Sequence, residues 1–278
     1  MRRPNRSTHL NLIYLAEVMV YTYDGSFDGL LSAIFESYRL KTPAEEIVEE
    51  SQFQPELFGN PTFVSTEKAH SERVKKGVKK QCGEQAMETL YHVFLSEQLQ
   101  VEMLIYRFVR LTMASVENVM NNFREPVVLQ IHRIQKQIYR EVHRMQAFVR
   151  FQQTQDDLYA ALINPDFNVL PLLPSHFTER YPAFSWLIYD TRRNYGLYHE
   201  PISDTKESRS PSTRFITLDS SSPQHFSAQL LTDAEQDYQS LWQTYFHSVN
   251  IPERRNDKLH LQHVPRRYWK YLVEKQIT

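Results

Sequence analysis

The pattern of the chain predicts an α+β fold: an antiparallel sheet of several strands packed with long helices in a single large domain. Three observations lead there. Strand-like and helix-like runs are segregated along the chain rather than strictly alternating, which favours α+β over a doubly wound parallel sheet. Hydrophobic residues make up 41% of the 278 residues, which suffices for a sizeable core and argues against wholesale disorder. Aromatics are rich, with 16 Tyr, 16 Phe and 3 Trp, whereas glycine numbers only 6. So few glycines make phosphate-cradling loops a poor expectation, since such loops need backbone that only glycine tolerates.

Residues 1–17 read as an N-terminal extension and residues 18–275 as the domain. Within it, a helical part is expected at about 67–146, a sheet-rich part at about 147–218 and C-terminal helices at about 232–275. The opening is basic (Arg2, Arg3, Arg6), and the apolar stretch from Leu10 to Val20 is interrupted by Asn11 and Glu17. It is too short and too polar for a signal core or a membrane span, so neither export nor a membrane partner is expected.

Val18 to Tyr23 is a β-branched and aromatic run, and Asp24-Gly25-Ser26 follows as a turn. Phe27, Leu30, Leu31, Ile34, Phe35 and Tyr38 then recur at helical spacing, with Ser26 as N-cap. Residues 42–66 show no clean period and read as a surface connection with a helical turn near Pro43 to Val48. A long helical region follows, and Pro126 closes it and opens the next helix.

In that next helix Ile131, Ile134, Ile138, Val142 and Met145 step by three or four and form one apolar face. Arg133, Arg140 and Arg144 fall on the opposite face, with Lys136 and His143 on its flank. From about residue 147 the pattern turns to strands: Phe148 to Phe151 and Leu158 to Ile163 as one hairpin, Trp186 to Asp190 and Gly196 to His199 as a second. A short helix covers Ser175 to Tyr181, residues 200–212 form a loop, and Arg214 to Leu218 is a last strand. Thr232 to Glu235 resembles a capping segment before a helix from Tyr238 to Val249, and Pro265 precedes another short helix.

The formal net charge is −1, so nucleic-acid binding would have to come from uneven charge distribution. The single cysteine, Cys82, excludes an internal disulfide, a thiolate iron–sulfur cluster and a zinc ribbon. It suits a reducing cytoplasm, the expected location. His260 and His263 have metal-pair spacing but no third ligand in sequence nearby, and no Walker, Gly-x-Ser-x-Gly or His-Glu-x-x-His pattern occurs. Neither a metal nor a cofactor is expected.

Three segments together carry a family resemblance: Tyr23-Asp24-Gly25-Ser26-Phe27-Asp28-Gly29-Leu30-Leu31, Arg140-Glu141-Val142-His143-Arg144-Met145 leading into Phe148-Val149-Arg150-Phe151, and Pro265-Arg266-Arg267-Tyr268-Trp269-Lys270. Trp186 to Asp190 with Arg193, and Glu253 to Asn256, add to it. The chain resembles the bacterial family labelled as DNA metabolism proteins, over roughly residues 18–275. The resemblance implies a domain of unknown function encoded beside a radical-SAM protein of DNA modification or repair, or fused to a uracil-DNA-glycosylase-like domain. It implies no catalytic residues.

The candidate constellations each have two readings. Arg133, Lys136, Arg140 and Arg144, with Arg150 beyond, suit a phosphate backbone or an ordinary solvated, salt-bridged helix face. The segment 253–275 holds seven Arg/Lys against three acids. Its Arg266, Arg267, Tyr268, Trp269 and Lys270 suit stacking on bases, or a short helix packing the tail onto the core. Glu141 with His143 resembles acid–base equipment, though Glu141 equally fits a buried ion pair with arginine. Asp24 could serve as a base at a helix N-terminus or simply close the turn. The leading expectation is an accessory, DNA-binding protein working with a radical-SAM partner in bacterial DNA modification or repair. The alternatives are a metal-independent enzyme on nucleic acid, using Asp24, Glu141 and His143, and a purely protein-docking partner.

Overall fold

The computed structural model describes residues 19–54, 61–201, 212–217, 231–248 and 257–275, apart from the side chains of 246, 247 and 257. The expected N-terminal extension, most of the 200–212 loop and the Glu253–Asn256 segment lie outside the described residues. Backbone contacts group the chain into two compact units, residues 1–94 with 98–131 and residues 95–97 with 132–278. Both mix helix and strand, as the α+β expectation requires, but neither sheet is purely antiparallel.

In the first unit, β1 (Met19–Tyr23) is the middle strand of three and runs parallel to both β2 (Ala44–Glu49) and β3 (Thr62–Phe63). A central parallel strand is covered on both faces. Val20, Tyr21, Thr22 and Tyr23 are accordingly all buried, which is why the segment reads as an unbroken run. Gly25 turns the chain at φ +80°. Ser26 then caps α1 (Phe27–Arg39), its Oγ accepting from the Gly29 N–H at 2.9 Å.

The expected helical turn at Pro43 to Val48 is instead β2. Ala44 and Ile47, three apart, are both buried, and that spacing imitates a helix. Pairing with β1 steps from Met19↔Ala44 to Val20↔Glu46, leaving Glu45 as an extra residue. A bulge of this kind puts positions three apart on one face of a strand. Helices α2 (Lys68–Cys82), α3 (Glu84–Phe94) and α4 (Val101–Ala114) complete this unit. Leu30, Ile34, Val78, Leu90 and Phe108 form its fully buried centre.

Helix α5 (Pro126–Phe148) leads into the second unit. Its buried positions are Val128, Ile131, Ile134, Ile138, Glu141 and Met145, so an acid fills the stripe position expected for Val142, which is half-buried. The sheet order is β4-β5-β6-β7-β8: β4 (Gln152–Gln153), β5 (Tyr159–Ile163), β6 (Trp186–Asp190), β7 (Tyr195–Glu200) and β8 (Ser212–Thr217). All neighbours are antiparallel except β5 and β6, which pair in parallel. Parallel neighbours need a crossover rather than a hairpin, and the segment containing α6 (Pro174–Arg180) supplies it.

The strand expected at Phe148 to Phe151 does not form. Phe148 closes α5, the Val149 N–H still donates to the Met145 carbonyl at 3.1 Å, and pairing begins at Gln152. Helices α7 (Asp233–Ser248) and α8 (Asp257–His263) and two 3-10 turns, Arg266–Tyr271 and Val273–Lys275, close the described chain. Thr232 caps α7 as expected, its Oγ1 accepting from the Glu235 N–H. No helix among the described residues is long and apolar enough to cross a membrane.

Candidate nucleic-acid interface

The three acid–base candidates occupy different settings. Asp24 belongs to the first unit, in the turn after β1. Its Oδ1 accepts from the Ser26 N–H at 2.9 Å and the Ser26 hydroxyl at 2.7 Å, and its Oδ2 from Thr66 Oγ1 at 2.7 Å. Partial burial would raise the carboxyl's pKa, but these hydrogen bonds outweigh it and hold it below the usual range. The carboxylate is thus fixed in place and weakly basic. Gly29 is required beside it, because a Cβ there would overlap the Asp24 carboxylate and approach Thr66 Oγ1 to 2.7 Å.

Glu141 and His143 belong to the second unit but face apart: Glu141 is 1% exposed, whereas His143 is on the surface. Glu141 is the centre of a polar network. Its Oε1 accepts from the Asp166 N–H at 2.9 Å and from the Tyr268 hydroxyl, and its Oε2 pairs with Arg267 at 3.2 Å and Arg144 at 3.3 Å. Burial and the adjoining carboxylate push the Tyr268 phenol well above its ordinary range. Asp166 extends the network: its Oδ2 meets Arg267 at 2.7 Å, and its carbonyl accepts from Arg192 at 2.8 Å. Arg193 continues it to the buried Asp190 at 2.9 Å and to Glu97 at 2.6 Å. Every oxygen of Glu141 is occupied by a donor from its own fold, which describes a structural ion pair.

The ten residues expected to contact nucleic acid divide into two sets. Arg144, Arg150 and Arg267 are paired with carboxylates of their own fold, Arg150 with the buried Glu274 at 2.9 Å and the other two with Glu141. Tyr268 is 2% exposed, so its ring is core and unavailable for stacking. Its buried hydroxyl is satisfied by Glu141, which accepts from it, and by Arg267, which donates to it. Trp269 is half-buried, donates to the Val264 carbonyl at 3.0 Å, and lies against Arg266 and Lys275. Lys270 packs over Tyr271.

The other set is Arg133, Lys136 and Arg140. All three are exposed on α5 and make no ion pair among the described residues. Arg140 only returns a hydrogen bond to the Lys136 carbonyl at 3.4 Å.

A feature that sequence inspection missed lies in the same unit. A cleft of about 650 Å³ is lined by Phe151, Tyr159, Phe184 and Trp186 from the sheet side and by Tyr238 and Trp242 from α7. Arg150, Glu235 and Gln239 supply its polar groups. The clue was available in part: Tyr238, Leu241, Trp242 and Tyr245 recur at helical spacing, and all four are exposed. This stripe points outward rather than into a core. Among the described residues, no group of three His, Cys, Asp or Glu is placed to hold a metal ion.

Fold and site together define an α+β protein whose second unit combines a cationic helix face, an ion-paired polar network and an aromatic cleft. The chain belongs to the family of the domain of unknown function DUF4130, whose sequence profile matches residues 99–274. The matched segment takes in α5, Glu141 with its direct partners and the cleft; residues 1–98, most of the first unit, lie outside it. The family description carries no DNA-metabolism context, and no curated protein matches the chain. Among solved structures, a pGpG-specific phosphodiesterase, PggH of Vibrio cholerae, aligns at TM-score 0.30 and 10% identity over 84% of this chain and 100% of that one. A score so low carries no argument about fold or activity.

Proposed function

We propose that the chain is a nucleic-acid-binding accessory protein of DNA modification or repair, with the solvent face of α5 as its phosphate-contacting surface. The observation that carries this reading is the division of the cations. Had the basic face been an ordinary salt-bridged surface, Arg133, Lys136 and Arg140 would have carboxylate partners, as Arg144, Arg150 and Arg267 do. Among the described residues they have no carboxylate partner. From residue 133 to 140 the helix rises about 10 Å at 1.5 Å per residue, a span of about three nucleotides of a strand at 3.4 Å each.

The radical-SAM partner follows from the family resemblance. On this proposal that partner carries the iron–sulfur chemistry, since Cys82 is single and buried. The enzyme reading has less in its favour, because Asp24 and Glu141 are both saturated by hydrogen bonds from their own fold. The docking reading has one observation on its side, the exposed Leu241 and Tyr245 of α7.

The test is binding of single- and double-stranded DNA across a salt series, by the wild-type chain and by Arg133→Ala/Lys136→Ala/Arg140→Ala. Each neutralised phosphate contributes about 0.9 to the logarithmic salt slope on duplex and about 0.7 on single strands. The triple variant is therefore expected to flatten the slope by about two to three. A slope unchanged in the variant, or no binding by folded protein at low salt, overturns the reading.

A further inference from the structure

Resting on that reading, we infer that the aromatic cleft of the second unit is a receptor for one unpaired nucleobase of the bound strand. Its volume of about 650 Å³ lies in the range of about 300–1,000 Å³ typical of small-ligand pockets. It admits a single base with its sugar and excludes a duplex, so any base that enters must first be free of its partner.

The lining is unusual for a surface depression. Phe184, Trp242 and Tyr238 are 48%, 43% and 70% exposed, so large π-faces stand open to water beside the buried Trp186. Rings left in this state suit a flat partner that stacks. An aliphatic side chain fits less well, because it would strip water from the charges of Arg150 and Glu235 without replacing their hydrogen bonds.

Those polar groups match the edge of a base, which presents donors and acceptors side by side. The Arg150 guanidinium is held by the Ala147 carbonyl at 2.8 Å and by Glu274 at 2.9 Å. With a third hydrogen turned to the Val149 carbonyl at 3.4 Å, its Nε–H and one Nη2 hydrogen have no acceptor among the described residues and can donate. Glu235 receives the Gln153 N–H at 3.2 Å and the Gln239 amide at 2.9 Å. The Gln239 amide oxygen and the remaining carboxylate lone pairs can accept. Both kinds of partner are therefore fixed by the protein before any ligand arrives.

The cleft also continues the proposed phosphate surface along the chain. Arg150 follows α5 by two residues, so the element that carries Arg133, Lys136 and Arg140 runs on to the cleft wall. A strand tracked by the helix face would deliver a base to Arg150 without a second binding element.

The test compares a labelled oligothymidylate with an abasic deoxyribose-phosphate strand of equal length, bound by the full chain. The variant is Tyr238→Ala/Phe184→Ala, which removes two exposed rings that make no side-chain hydrogen bond among the described residues. Its melting temperature, checked first, is expected to match the wild type. The oligothymidylate is expected to bind roughly tenfold or more tighter than the abasic strand, the scale of one stacked base. The variant should erase that gap and leave the salt slope unchanged. Equal binding of the two strands by the wild type, with a normal salt slope, overturns the base receptor and leaves the phosphate surface standing. A gap that survives in the variant also overturns it, since the base would be read elsewhere. No binding of either strand overturns both.

Discussion

Two helical glutamates, one in each unit, meet a tyrosine hydroxyl and diverge in every other respect. Glu102 of the first unit, in the first turn of α4, accepts from the Tyr23 hydroxyl at 3.2 Å. Burial raises its pKa, and the nearby Glu46 and Glu49 add to the rise despite its hydrogen bonds. Glu141 of the second unit is more deeply buried, yet two arginines, a tyrosine hydroxyl and a backbone N–H converge on it. Burial alone therefore does not decide what a carboxylate does in this protein. The count of donors does: a charge removed from water is tolerable when its lone pairs are filled by fixed donors, and costly when they are not. The same contrast separates the α5 cations, since Arg144 is held by Glu141 while Arg140, one turn away, faces solvent with no carboxylate partner among the described residues.

The largest effect expected from breaking this comparison is at Glu141. Glu141→Ala leaves Arg267 and Arg144 without their carboxylate, the Tyr268 hydroxyl without its acceptor, and a void in the stripe of α5. Removing one partner of a buried pair typically costs about 3–5 kcal/mol. The two arginines here are 36% and 26% exposed, so water compensates part of the loss and about 2–3 kcal/mol is expected. Chemical denaturation monitored by Trp fluorescence measures it. A variant as stable as the wild type would show that the network is not what fixes the closing turn to α5.

Glu274 gives the next effect, and a sign. Burial would raise its carboxyl, but its backbone hydrogen bond, Arg150 at 2.9 Å and the Trp242 indole N–H at 3.2 Å hold its pKa below the usual range. A carboxyl depressed in the folded state contributes stability above its unfolded pKa of about 4.3, and loses it as pH falls through the folded value. Glu274→Gln is therefore expected to melt lower than the wild type at pH 7, by about 1–2 kcal/mol. The gap should close as pH falls below about 4. A gap that persists undiminished at acid pH would assign the effect to packing rather than charge.

How far the sequence discloses all this depends on the range of the interactions involved. Helix α1 is legible to the residue at its start, because Ser26 and the Phe27 to Tyr38 spacing are local signals. Strand β2 is not, because the bulge at Glu45 gives a strand the spacing of a helix turn. The parallel pairings escape notice for a related reason: which strand joins which is decided by crossovers, not by the strands' own composition. At 141–142 the periodicity allows either residue inward, and apolar Val142 is the natural choice. The core takes Glu141 because Arg267 and Tyr268, 126 and 127 residues further on, supply its donors. The cleft needs rings from Phe151 to Trp186 and from Tyr238 to Trp242 to converge, which no local pattern can announce.

The smallest predicted effect runs in the opposite direction and sharpens the comparison most. In the folded state Glu102 binds its proton more tightly than in the unfolded chain. A group raised in this way contributes stability below its unfolded pKa of about 4.3, and the contribution is lost as pH rises through the folded value. At neutral pH the ionised side chain is thus a burden, with Tyr23 as its one side-chain donor among the described residues. Glu102→Gln keeps an acceptor for the Tyr23 hydroxyl and removes the charge. The variant is expected to be more stable than the wild type at pH 7 by about 0.5 kcal/mol, a modest figure because Glu102 is only partly buried. The advantage should shrink to nothing as pH falls toward about 4, where the wild-type carboxyl is protonated as well. Paired melts of the two proteins at each pH decide it. A glutamine variant less stable than the wild type at pH 7 would mean that Glu102 has a cationic partner after all, and that the two carboxylates are alike.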